Sequence, residues 1–261
     1  MALITGVDLV SVLPMLERAV NGLLEPLGVR LMRRGGPPTI GGRRLSDADV
    51  IAQAHEKGIS AGEYLEDLFG KKGRAAEIIR RMRDAGALSP SVSVVCEIGA
   101  GSGLYIPYVL RYAPVERYEI YEIIQGRADY LAKEFPVVLA RPTDGESLRG
   151  TAARAIDLVQ AHGVFVTLDF LTSCSYFREI ERVIAPGGHA VFDVMTEDCF
   201  DEAAIDAWLG TRLRYPSLHS RDYVIRYFTS RGFVVVDEFT LPLLVHGTSR
   251  YLVLRWPGGE Q

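Results

Sequence analysis

The segment Val94-Val95-Cys96-Glu97-Ile98-Gly99-Ala100-Gly101-Ser102-Gly103 constrains this chain more than any other. Its first half is a short, apolar, β-branched run of the kind buried on both faces of a parallel sheet. Its second half sets three glycines at alternate positions, which permits positive φ and lets the backbone approach a ligand closely. A helical pattern follows to about Tyr112, and the start of a helix presents unpaired N–H groups to whatever occupies the turn. A strand of this kind has to be covered by helices on both faces, so the chain is expected to be α/β.

The alternation continues through the rest of the sequence. Val92 to Ile98 is the first strand, Tyr118 to Tyr121 the second and Val137 to Ala140 the third, with a helix at Gln125 to Glu134 between the last two. Ala155 to Ala161 is a strand, Tyr176 to Ile184 a helix and His189 to Val194 a strand. Ser220 to Arg231 is a helix, and Phe233 to Phe239 and Tyr251 to Trp256 are strands joined without one, which makes them an antiparallel hairpin at the sheet edge. The expected fold is a doubly wound, mostly parallel seven-stranded sheet with right-handed crossovers and a reversed C-terminal strand.

The chemistry of the turn narrows what it can hold. Its glycines run G-x-G-x-G, whereas the dinucleotide fingerprint runs G-x-G-x-x-G. Glu97 stands two residues before the first of them, where an acid repels a pyrophosphate but suits an ammonium through charge-assisted hydrogen bonds. His162 follows Asp157-Leu158-Val159-Gln160-Ala161 at the carboxyl end of the fourth strand. In doubly wound sheets ligands bind at that edge, and a histidine there can accept a proton near neutral pH. Packing at the strand end is the alternative use of the same side chain. His55, His189, His219 and His246 have weaker placements and read as structural.

The glycine turn resembles motif I of the class I S-adenosylmethionine-dependent methyltransferases, and the resemblance runs from Val92 to Trp256. It implies S-adenosylmethionine as cofactor, held by Glu97, Gly99, Ala100, Gly101, Ser102 and Gly103, with Tyr105 lining the site or packing beneath it. The acid that takes the ribose hydroxyls in that family matches Glu122, nineteen residues after Gly103, with Glu119 as its rival. The family's acid near the adenine amino group matches Thr143-Asp144-Gly145-Glu146, where Asp144 and Gly145 are the candidates, although Asp-Gly is also a common turn. Arg182-Val183-Ile184-Ala185-Pro186-Gly187-Gly188-His189 resembles the family's turn into its fifth strand.

The Asn/Asp-Pro-Pro-Tyr signature of many N-methyltransferases is absent after the fourth strand, and His162 stands there instead. The resemblance therefore implies O-methylation of a small-molecule hydroxyl, with His162 as general base. A finer similarity to bacterial sugar and secondary-metabolite O-methyltransferases makes a sugar or secondary metabolite the expected acceptor. Asp169, Asp193, Glu197 and Asp198 offer oxygen ligands for magnesium, but their spacing does not impose a metal site. Two other readings stay open: a protein that binds the donor or its product without methylating, and a nicotinamide-dependent oxidoreductase.

Before the sheet, the texture is different. Val7 to Leu27 has a helical apolar rhythm, Arg30 to Arg44 is a loop rich in Arg, Gly and Pro, and three helices follow. These begin at Ser46-Asp47-Ala48-Asp49, at Ser60-Ala61-Gly62-Glu63 and at Gly73, the last with Gly86 past its end. A boundary near Leu88-Ser89-Pro90-Ser91 divides a helical cap, lid or dimerisation segment at 1–91 from the catalytic domain at 92–261. At 261 residues and 48% apolar, one domain with an accessory segment is the expected size. A net charge of −4 gives no general attraction to nucleic acid. Three cysteines without CxxC spacing suggest neither a disulfide framework nor zinc. With no apolar run long enough for a membrane span, the expected setting is cytoplasmic, with a small-molecule acceptor and a homodimer as the partners to consider.

Overall fold

The computed structural model describes residues 39–40, 43–44, 47–210, 216–243 and 246–258. The expected helix from Val7 to Leu27 lies outside them. Backbone contacts divide the chain into two compact units, Met1–Arg44 and Leu45–Gln261. In the first, the expected loop contains a pair of two-residue antiparallel strands, β1 (Thr39–Ile40) and β2 (Arg43–Arg44).

The second unit begins with α1 (Asp47–Lys57), α2 (Ala61–Leu68) and α3 (Arg74–Asp84). A capping box starts α2: the Ser60 hydroxyl accepts from the Glu63 N–H, and the Glu63 carboxylate accepts from the Ser60 N–H. Ala75, Ile78, Ile79 and Met82 form the buried stripe of α3 and belong to the same core as Val95 and Tyr118 of the sheet. This third helix is therefore a covering helix of the sheet. The sequence pattern shows the stripe but not the surface that receives it.

The sheet comprises β3 (Val94–Ile98), β4 (Arg117–Tyr121), β5 (Val138–Ala140), β6 (Ile156–Ala161), β7 (Ile184–Val194), β8 (Val234–Pro242) and β9 (Thr248–Arg255). Its order is β5-β4-β3-β6-β7-β9-β8, parallel from β5 to β7, with β9 antiparallel to both neighbours. The C-terminal hairpin thus folds back so that its second strand pairs with β7 and its first becomes the edge. On one face lie α3, α4 (Ile106–Tyr112) and α5 (Gln125–Glu134); on the other lie α6 (Phe170–Val183) and α8 (Arg221–Thr229).

The boundaries expected from the sequence differ in three places. The sixth helix begins at Phe170 rather than Tyr176, because Asp169 caps it by accepting from the Leu171 and Thr172 N–H groups at 3.0 Å each. The expected strand His189–Val194 extends back to Ile184, with a register shift against β6 that accommodates Pro186-Gly187-Gly188. A short 3₁₀ turn (Glu197–Cys199) and α7 (Glu202–Gly210) occupy a stretch with no expected element. No helix among the described residues is long and apolar enough to cross a membrane.

The start of α2 rests on the residue that follows the glycine turn. A Cβ at Gly62 would stand 2.4 Å from the Leu104 Cα and 2.8 Å from its N, both backbone atoms that cannot swing aside. Gly62→Ala is therefore expected to cost about 1–3 kcal/mol of stability, as overpacking does. Chemical denaturation checks this, and an unchanged midpoint would mean that α2 does not rest on Leu104 in solution.

Candidate functional site

The carboxyl ends of β3, β4, β6 and β7 form one edge of the sheet, and the candidate residues collect along it. All three glycines of the turn after β3 have positive φ: 67° at Gly99, 57° at Gly101 and 76° at Gly103. Two of them are also hemmed in. A Cβ on Gly99 would meet Val164 at 2.6 Å, and one on Gly103 would meet Leu131 at 2.4 Å. Gly101 faces open space apart from the Gly99 carbonyl at 3.9 Å, so this is where the turn offers its backbone to a ligand. Ala100 is buried beneath the turn, and Ser102 is partly exposed beside it.

Glu122 closes β4 and reaches the turn directly. One carboxylate oxygen accepts from Gly101 N–H at 2.8 Å and the other from Ile124 N–H at 2.9 Å. Glu119 points to the opposite sheet face, where Arg141 at 2.7 Å, Arg117 at 3.0 Å and the Thr151 hydroxyl at 2.5 Å engage it. Strand alternation thus turns one acid toward the glycine turn and the other into a structural ion-pair cluster.

Ile123, beside Glu122, has 57% of its surface exposed, and a Cβ on Gly145 would lie 3.8 Å from its side chain. Asp144, in the same loop, accepts from Glu146 N–H, Ser147 N–H and the Ser147 hydroxyl. These hydrogen bonds, the Glu146 N–H foremost, hold its carboxyl below the usual range. Asp144 closes its own turn, while Ile123 supplies an apolar surface that the sequence pattern had not singled out.

Glu97 lies beneath the glycine turn, on the sheet face that carries Val95 and Tyr118. Burial pushes its pKa up to about 7, with the nearby Glu122 charge adding to the rise, although the Tyr118 and Gln160 side chains oppose it. The Tyr118 hydroxyl donates to it at 2.5 Å, and no ion pair to it occurs among the described residues.

Further along the edge, His162 follows β6. Its ring stacks on Tyr105, with centroids 3.8 Å apart, and lies 5.8 Å from the ring of Tyr251 on β9. Both imidazole nitrogens are buried and neither has a hydrogen-bond partner among the described residues. Burial, aided by the Arg74 charge, brings its pKa down to about 3, so the ring is neutral with a free lone pair at physiological pH.

Around His162 is a cluster that local patterns did not disclose. Arg74, from the first turn of α3, donates to the Pro242 carbonyl at 2.9 Å and to the Tyr105 and Tyr251 hydroxyls at 3.3 Å each. Its guanidinium stands 3.6 Å from Asp193. Burial works against that charge, but Tyr251, Tyr105 and Asp193 hold its pKa above the ordinary value. Asp193 accepts from Gly163 N–H at 2.6 Å and from the Ser249 hydroxyl at 2.7 Å, which anchors the backbone beside His162.

The acids considered for magnesium are separately engaged. Asp169 caps α6, Asp193 faces Arg74, Asp198 pairs with Arg250, and Glu197 accepts from Arg221 N–H. No three His, Cys, Asp or Glu side chains converge as a metal site among the described residues.

The edge therefore brings Glu97, the glycine turn and Glu122 together at one end, and Tyr105 and His162 at the other. Arg74, Gln160, Ser249 and Tyr251 complete it. Of these, Gln160 carried a readable signal: it is polar in an otherwise apolar strand, two residues before His162, and so faces the same side.

A family model described as Methyltransferase domain matches residues 64–238, more than half of the chain. No curated protein matches the sequence. An O-methyltransferase family protein from Burkholderia thailandensis has a TM-score of 0.56 at 16% identity, over 82% of this chain and 64% of that one. Magnesium protoporphyrin IX methyltransferase from Synechocystis PCC 6803, with bound S-adenosylhomocysteine, has a TM-score of 0.54 at 13% identity, over 93% and 98%. An N-methyltransferase from Bradyrhizobium japonicum WM9, also with S-adenosylhomocysteine, has a TM-score of 0.53 at 19% identity, over 72% and 88%. Identities this low establish a shared fold and leave the acceptor open. With the family match across α3, the glycine turn and β6, the chain belongs to the class I S-adenosylmethionine-dependent methyltransferase family.

Proposed function

We propose that this protein transfers the methyl group of S-adenosylmethionine to a hydroxyl of a small molecule, a sugar or secondary metabolite, with His162 receiving the hydroxyl proton. The observation that carries the reading is the His162 imidazole: neutral, stacked on Tyr105, and with both nitrogens buried and without a partner among the described residues. A hydroxyl acceptor supplies the missing hydrogen bond. The donor's contribution when bound is a methyl on a positively charged sulfur.

The chain's residues divide the remaining work. Glu122 binds the ribose hydroxyls, Glu97 faces the ammonium, Gly101 gives its backbone to the donor, and Ile123 with the Asp144-Gly145 turn borders the adenine. The open face at Gly101 and a buried carboxylate with no ion pair among the described residues fit a ligand that brings its own ammonium. His162 orients the acceptor oxygen, whose bond to the methyl carbon forms as the carbon–sulfur bond breaks. The oxygen becomes strongly acidic only as that bond forms, so a base of low pKa is sufficient if the proton leaves late. Arg74 and Asp193 hold Tyr105, Tyr251 and Gly163 around the imidazole.

The helical segment from Asp47 to Ser91 serves as a cap that completes the acceptor pocket. The contact of α2 with Leu104 and the reach of Arg74 into the His162 cluster support this use of the segment. Limited proteolysis between α2 and α3, around Phe69 to Gly73, is expected to slow when adenosylhomocysteine and acceptor are both present, and cleavage indifferent to both would count against the cap.

Donor binding can be tested without the acceptor. Glu122→Ala is expected to weaken adenosylhomocysteine by roughly 10-fold to 100-fold, the worth of hydrogen bonds to a charged group, with little change in unfolding. Calorimetric titration measures this, and unchanged affinity would remove Glu122 from the ribose site. The reaction itself is tested by screening hydroxyl and amine acceptors for adenosylhomocysteine formation and identifying the methylated atom. An O-methyl product supports the reading. Methylation at nitrogen, or tight donor binding with no product from any acceptor, would overturn it.

A further inference from the structure

The helix that delivers Arg74 to the His162 cluster cannot cap itself. Gly73 occupies the N-cap of α3 at φ 89°, a left-handed conformation suited to glycine, and has no side chain to accept from the first N–H groups. Glu66 of α2 accepts from them instead. Its carboxylate takes Ala75 N–H at 2.6 Å and Gly73 N–H at 3.3 Å, so its two oxygens bracket Arg74 in the chain. Only 6% of Glu66 is exposed, and an acidic side chain at that place also meets the positive end of the helix dipole.

The contact bears on the site through Arg74, the first residue of α3. Its guanidinium donates to the Tyr105 and Tyr251 hydroxyls at 3.3 Å each, and Tyr105 stacks on His162 with centroids 3.8 Å apart. The Pro242 carbonyl and Asp193 hold the far end of Arg74, whereas Glu66 holds its origin. Gly62, in the same helix as Glu66, lies against the Leu104 backbone immediately before Tyr105. Thus α2 bears on Leu104 directly and on Tyr105 through Glu66 and Arg74. Without a partner for its leading N–H groups, the first turn of α3 frays, and Arg74 loses the fixed origin from which it sets the Tyr105 ring over the imidazole.

We infer that Glu66 is a positioning residue for the methyl transfer, fixing the first turn of α3 so that Arg74 holds Tyr105 against His162. The inference rests on the reading of His162 as the base and extends the support of that base to a residue outside its cluster.

The test uses the full-length protein and substitutions at Glu66. Glu66→Ala removes both hydrogen bonds, Glu66→Gln keeps one accepting oxygen, and Glu66→Asp keeps the carboxylate on a side chain too short to reach both N–H groups. Turnover is measured with S-adenosylmethionine and a hydroxyl acceptor found in the screen above. The His162 ring protons, identified by their loss in His162→Ala, are followed by nuclear magnetic resonance without acceptor. Glu66→Ala is expected to lower kcat by roughly 10-fold to 100-fold, the cost of a misplaced group, and to change adenosylhomocysteine affinity by less than about twofold. Glu66→Gln should recover a substantial part of the loss and Glu66→Asp little of it; these two carry the comparison if Glu66→Ala does not fold. The ring protons, displaced in the wild type by the face of Tyr105, should move toward their ordinary positions in Glu66→Ala and Glu66→Asp and return in Glu66→Gln. A cap that only stabilises the fold would lower the melting temperature and leave kcat and the ring protons unchanged. That result, or a loss of adenosylhomocysteine affinity as large as the loss in kcat, would overturn the inference while the methyltransferase reading stands. Wild-type kcat in His162→Ala would overturn the reading of the base, and this inference with it.

Discussion

Adenosylhomocysteine is expected to bind more tightly as pH rises toward 7, by up to about tenfold per pH unit on the acid side, and then to level off. The origin is Glu97. Burial raises its pKa to about 7 in the free protein, so below that pH the carboxyl is mainly protonated and hydrogen-bonded with Tyr118. A bound ammonium favours the carboxylate, so binding below pH 7 must release the proton from Glu97. The sign is fixed: a group that loses a proton on binding weakens the complex as pH falls through its free-state pKa. Titrations in buffers of different ionisation enthalpy should report proton release at pH 6 and little at pH 8.

Glu97→Gln retains an acceptor for Tyr118 but cannot ionise. It is expected to lower adenosylhomocysteine affinity at pH 8 by roughly 10-fold to 100-fold and to abolish the acid limb. An acid limb that survives in the variant would assign the titration to another group and remove Glu97 from the ammonium site.

The second large effect is expected at His162. Replacing it with alanine should leave adenosylhomocysteine affinity within a few-fold and lower turnover by roughly 10²-fold to 10⁴-fold, the contribution of a positioned base. The pH profile distinguishes this from lost packing. With a pKa held down to about 3, the wild-type imidazole is neutral throughout the range in which the protein can be assayed, so its own titration contributes no acid limb near pH 6.5. At saturating donor the rate should therefore be flat from about pH 5 upward in this respect. Nuclear magnetic resonance of the His162 ring gives an independent check, since the ring should not titrate above pH 5. A His162→Ala protein with wild-type turnover would make the residue structural, whereas a ring that titrates near its ordinary value would mean that the imidazole is not shielded as the structure places it.

Local pattern was enough for the alternation of strands and helices, the glycine turn and the family. Burial on two faces selects continuous apolar runs such as Val94–Ile98, the covering helices show their own period, and the three glycines satisfy a backbone requirement written into adjacent residues. The capping box at Ser60 and Glu63 is legible for the same reason, since both partners lie within one turn. Gln160 was nearly legible, as a polar residue in an apolar strand in step with His162.

Contacts between distant segments decided the rest. Glu119 and Glu122 are three residues apart and chemically alike, but the pleat sends one to Arg141 and the other to Gly101. Asp193 reads as a strand acid that could serve a cation until the pairing of β7 with β9 places Ser249 beside it and α3 brings Arg74. Arg74 is an ordinary first-turn arginine in sequence, and 168 positions separate it from the Pro242 carbonyl it reaches. The C-terminal hairpin likewise was visible as two strands, while the insertion of β9 between β7 and β8 was not. Periodicity records which residues each element must bury; which elements then meet depends on packing across the whole sheet, and that is where the charges around His162 acquired their partners.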